Sequence, residues 1–170
     1  MDLAFVGCFL CLIIAFVSDI RTMKIPNKLT VFMIISGIMF QGLNQGWVGV
    51  SFSSKGLVVG FMIVLVMYWI GAVGAGDVKL FGGLGAWMGT FFTLQCIIYS
   101  VIFAGIIGLF ILLWRRETLS RFKKVAGGLA GFFIFRSFHF LKGNPKDQLH
   151  FPFMLAVLPG YIFTYFLSNG

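Results

Sequence analysis

Cut at its charged residues, the chain falls into long uncharged runs. Residues 3–18 form a run of 16, 29–54 of 26, 56–76 of 21, 80–114 of 35 and 148–170 of 23. The run at 125–135 has only 11 residues. A helix that crosses a bilayer needs about 20 apolar residues, with a range of roughly 17–25. Each of the four longest runs can hold at least one span, and the 11-residue run cannot. The first run is a little short, and its neighbours at the inner edge complete it.

Loop charge decides how the 35-residue run is used. A turn near 89–95 splits it into two spans and makes six in all. The loops at 19–28, 77–79 and 115–147 then share one side. They hold 12 of the 13 basic residues, and Lys55 lies opposite. A single long span would move the eight bases of 115–147 to the far side, against the positive-inside rule. The pattern therefore predicts an all-α polytopic membrane protein. Six transmembrane helices run over about 3–18, 29–43, 56–73, 78–92, 96–114 and 150–168, with both termini outside. The whole chain, 1–170, is one membrane domain.

Composition agrees. Of 170 residues, 59% are apolar and 11% charged. A soluble surface needs roughly 25–35% charged residues, and disorder goes with low hydrophobicity. The net charge of +8 is no sign of nucleic acid, because no soluble basic face or binding motif accompanies it. The bases mark the cytoplasmic side instead. The first run has no basic residue before it and no A-x-A-like site after it, so it is read as a retained span. Cys8, Cys11 and Cys96 lie in apolar runs. Cys8 and Cys11 make a C-x-x-C, but no second pair or nearby His completes a zinc tetrad. They are read as core residues, and no metal site is expected.

Segment 115–147 is basic first, then rich in Phe and Gly. It is expected to lie in the inner interface, with Phe in lipid and bases at the head groups. A lid or substrate contact is the alternative. Residues 71–89 include seven glycines, which allow close helix approach. Gly74 and Gly76 are also expected to let the backbone unwind through positive φ. The glycines fit no phosphate-binding loop pattern.

Five acids remain: Asp2, Asp19, Asp77, Glu117 and Asp147. A terminus or neighbouring bases account for Asp2, Glu117 and Asp147. Asp19 and Asp77 sit at membrane edges on one predicted side, where an ionisable group costs at least about 2–3 kcal/mol. Ion pairs with Arg21, Lys24 or Lys79 are the bland alternative. The chemistry that uses such a pair is peptide hydrolysis by an aspartyl dyad. Two close carboxylates cannot both ionise cheaply and so share a proton. One takes a proton from water, and the other donates to the scissile carbonyl and then to the leaving amine. No metal or cofactor is needed. There is no G-x-S-x-G, and His139 and His150 lie far along the chain from any plausible Ser or Cys partner.

The residues then resemble a known family. Gly74-Ala75-Gly76-Asp77 is the G-x-G-D of intramembrane-type aspartyl peptidases. The stretch from Asp19 to Ile25-Pro26-Asn27 is similar to the D-x-x-x-x-x-I-P-N of type IV prepilin peptidases. Order, span number and length match the short peptidase-only branch of tight-adherence (Flp-type) pilus systems. The resemblance implies Asp19 and Asp77 as the catalytic pair. It implies a prepilin or pseudopilin substrate cleaved at the cytoplasmic face of the inner membrane, and membrane lipid as the surroundings. Lys79 is carried over as a tuner of Asp77 or a head-group anchor, and Pro26 and Asn27 as shapers of the turn. Longer members carry an insert with paired C-x-x-C motifs and also methylate the new N-terminus. No such insert is seen, so methyl transfer is not expected. In the last span Met154 stands where glycine is common. A rival class is a small proton-coupled transporter or channel with Asp19 and Asp77 as relay groups, but no repeat supports it.

Overall fold

A computed structural model describes residues 2–22, 25–114 and 153–169. The expectations for 115–147, with Glu117, His139 and Asp147, lie outside the described residues, as do Lys24 and His150. The described residues are all-helical, with no strand among them. The helices are α1 (Asp2–Thr22), α2 (Asn27–Trp69), α3 (Ala75–Trp114) and α4 (Met154–Asn169). The first three are long and apolar enough to cross a membrane. Exposed Ile14, Phe32, Ile35, Met62 and Phe91 give a surface suited to lipid rather than water.

Two of these helices are broken by a single glycine. Gly46 has φ 59° and ψ −137° inside α2, a backbone open to glycine but strained for an L side chain. The chain doubles back there. Ser53 Oγ reaches the Gly37 carbonyl at 3.5 Å, and Gly49 presses on the Gln41 carbonyl. Helical backbone thus runs on through 44–55, which the charge pattern left between spans. In α3 the break is Gly89, with φ 78°, at the start of the expected 89–95 turn.

Two compact units divide the chain: residues 1–104 with 152–170, and residues 105–151. In the first, the part of α2 after Gly46 runs antiparallel to the start of α3, with Gly56 against Gly85 and Gly60 against Phe81. The start of α2 runs parallel to α3, pairing Ile25 with Gly76, Met33 with Gly83 and Gly37 with Ala86. Helices α1 and α4 are antiparallel, with Phe5 stacked on Tyr165 (3.7 Å) and on Tyr161 (4.8 Å). Of the second unit, residues 105–114 continue α3, and Ile106, Leu109 and Phe110 are exposed.

The core gathers at Trp87. Its indole N–H donates to the Met33 carbonyl at 2.9 Å, and its own carbonyl accepts from buried Gln41 at 2.8 Å. Ser53 Oγ donates to the Ala86 carbonyl at 2.6 Å. Among the described residues no buried side-chain nitrogen or oxygen lacks a partner, as burial away from water requires. Cys8, Cys11 and Cys96 are free and buried, matching the core reading.

Candidate active site

Asp19 stands in the last turn of α1, and Asp77 in the first turn of α3. Both are buried, at 8% and 7% exposure. The two lie within electrostatic reach of one another. Residues 58 positions apart in sequence are thus brought to the same end of the first unit, where Ile25, six residues after Asp19, packs on Gly76, next to Asp77.

Local chemistry explains how each is held. Asp77 Oδ2 accepts the Gly74 N–H at 2.9 Å, while the Gly74 carbonyl accepts the Asp77 N–H at 3.1 Å. The carboxylate reaches back to the N-cap amide as in one half of a capping box; Gly74 has no side chain for the other half, and its carbonyl takes the Asp77 N–H instead. Asp19 Oδ2 accepts the Met154 N–H at 3.4 Å. That donor is a buried N–H of the first turn of α4, which has no acceptor within the helix and where an acid is well placed. Each carboxylate is therefore fixed through Oδ2 by a backbone amide.

The other motif residues surround this pair. Pro26, with φ −66° and ψ 130°, caps α2, and its carbonyl accepts from Leu29 at 3.0 Å. Lys79 does not turn toward Asp77. Its Nζ donates to Asn27 Oδ1 at 2.8 Å. Gly76 lies against Ile25, whose Cβ is 3.1 Å from where an added Cβ would stand. Positive φ is found at Gly71 (81°) and not at Gly74 or Gly76. This corrects the expectation for those two: the turn between α2 and α3 takes its strain three residues earlier, and Gly76 is already helical. At Gly74 an added Cβ would stand 3.3 Å from Asp77 Oδ2, so a side chain there would press on the carboxylate. The N–H of Met154 was not foreseen, because a backbone donor leaves no mark in the residue pattern. Among the described residues no group of three or more His, Cys, Asp or Glu gathers as a metal site.

The profile described as the type IV leader peptidase family matches residues 6–113. The chain belongs to the type IV leader peptidase family. The match takes in both acids and every motif residue named above. Among similar proteins, the prepilin leader peptidase/N-methyltransferase of Pectobacterium carotovorum subsp. carotovorum is 31% identical over 112 residues, covering 61% of this chain and 38% of that protein. The protein of that name from Dickeya chrysanthemi is 32% identical over 125 residues, covering 67% and 42%. That of Aeromonas salmonicida is 27% identical over 110 residues, covering 61% and 38%. The chain spans about two fifths of the length of these relatives. No solved structure matches it. Membership in a leader peptidase family does not favour the transporter reading.

Proposed function

We propose that this leader peptidase family member is an aspartyl endopeptidase of the inner membrane. It removes the leader from type IV prepilins or prepilin-like proteins at the cytoplasmic face. Asp19 and Asp77 are the catalytic pair. The observation that carries this reading is the placing of these two buried carboxylates at the same end of the first unit, each held by a backbone N–H through one oxygen.

The mechanism follows from that arrangement. The pair holds one proton between two interacting carboxylates. The ionised partner takes a proton from a water placed between them, and the oxygen attacks the scissile carbonyl. The protonated partner donates a hydrogen bond to the carbonyl oxygen as negative charge develops there. Collapse of the tetrahedral intermediate breaks the C–N bond, and the new amine leaves with a proton from the pair.

Six crossings with both termini outside belong to this proposal; the charge pattern supports them, as does the antiparallel packing of the part of α2 after Gly46 on the start of α3. Hydrolysis without methyl transfer is part of this proposal and rests on the resemblance to the peptidase-only branch.

Co-expression with a prepilin, followed by mass measurement of the pilin, tests the reading. Asp19→Ala and Asp77→Ala each leave the precursor at full mass. Normal processing by either variant overturns the assignment.

A further inference from the structure

We infer that Asn27 and Lys79 form a clamp that sets the register of the two acid-bearing segments, and that Lys79 is a positioning residue for the reaction. The inference rests on the peptidase reading of Asp19 and Asp77. Both clamp residues are exposed, so burial gives them no packing role. Yet the Lys79 ammonium donates to Asn27 Oδ1 at 2.8 Å. The bond joins the segment that follows Asp19 to the helix whose first turn holds Asp77. Directly behind it Ile25 packs on Gly76. Further along, Met33 and Gly83 continue the same parallel pairing of α2 with α3.

That pairing is apolar and glycine-lined, with little in it to resist sliding along the helix axes. A polar bond between a flexible cation and a fixed amide at the helix ends supplies the missing axial stop. Catalytic groups must be held to within about 0.5 Å of productive geometry, and a slip well short of one helical turn of about 5.4 Å separates Asp77 from Asp19. Lys79 spends its directed contact on Asn27, two residues from Ile25, and not on Asp77 two residues from itself. Its charge serves alignment rather than pairing with the acid.

A double-mutant cycle tests the clamp. Asn27→Ala and Lys79→Met each lower kcat about ten-fold with KM within about two-fold, the size expected of misplaced reacting groups. The double variant is no slower than either single one. Lys79→Arg recovers most of the loss. A second measurement does not depend on turnover. Met33→Cys with Gly83→Cys makes a cross-linking pair, because Met33 Cβ is 3.2 Å from the position of a Gly83 Cβ, close to disulfide spacing. The linked peptides, identified by mass after mild oxidation, form several-fold more slowly when Lys79→Met is added. Additive losses in kcat, or full activity with Asn27→Ala, overturn the clamp. So does a cross-linking rate unmoved by Lys79→Met. A wild-type protein that cuts no prepilin counts against the peptidase reading alone, because the cross-linking rate still decides the clamp.

Discussion

Gly56 lies so close to Gly85 that a Cβ on either would run into the other's carbonyl oxygen. Two helical segments meet here with backbone against backbone, the approach small residues permit inside a membrane. The contact fixes the part of α2 after Gly46 against the start of α3, and so supports the helix that carries Asp77. Gly56→Ala or Gly85→Ala must push the segments apart and is expected to cost about 1–3 kcal/mol. Gly105, with nothing near its missing Cβ, accepts Ala without loss. Reversible unfolding in mixed micelles compares the three.

Trp87 should report on stability without touching chemistry. Trp87→Phe removes the indole bond to the Met33 carbonyl, which keeps the Ser36 hydroxyl at 3.2 Å, at a cost of about 0.5–1.5 kcal/mol. The rate constant for cleavage at saturating substrate should stay near that of the unaltered chain. A large fall in kcat with unchanged stability would contradict this separation.

The contact of Gly76 with Ile25 gives a compensating pair. Gly76→Ala drives a methyl against the Ile25 side chain and is expected to slow cleavage about ten- to a hundred-fold by displacing Asp77. Ile25→Ala in the same chain opens the space and recovers much of the rate. If the second change deepens the defect instead, steric displacement is not its cause.

A shared proton dictates the pH profile. At low pH both acids carry protons and no base remains to activate water. At high pH both are ionised and no donor remains for the carbonyl oxygen. The rate of cleavage should trace a bell, with limbs belonging to the pair rather than to either residue. A rate that rises monotonically with pH would argue for a single base.

Much of this arrangement is legible in the residue order, and the limits have physical causes. Charge-free runs mark apolar helices because a bilayer tolerates few charges, and Asp19 and Asp77 stand out as the two acids set at the edges of such runs on one predicted side. The turn at Gly89 falls within the expected 89–95. The reversal at Gly46 is hidden because one glycine suffices for it, and helix resumes at once through Asn44–Lys55-type polar residues that look like a loop. The strain at Gly71 is hidden among seven similar glycines. The donor from Met154 and the bond between Lys79 and Asn27 depend on contacts across 135 and 52 positions, which no local pattern encodes.

The most direct measurement is cleavage of a purified prepilin by the purified protein in lipid nanodiscs, read by mass. The unaltered chain should release the leader and leave an unmethylated pilin N-terminus, while Asp19→Asn and Asp77→Asn, nearly isosteric with the acids, should each leave the precursor intact. Cleavage by either variant at the rate of the unaltered chain would contradict the catalytic pair.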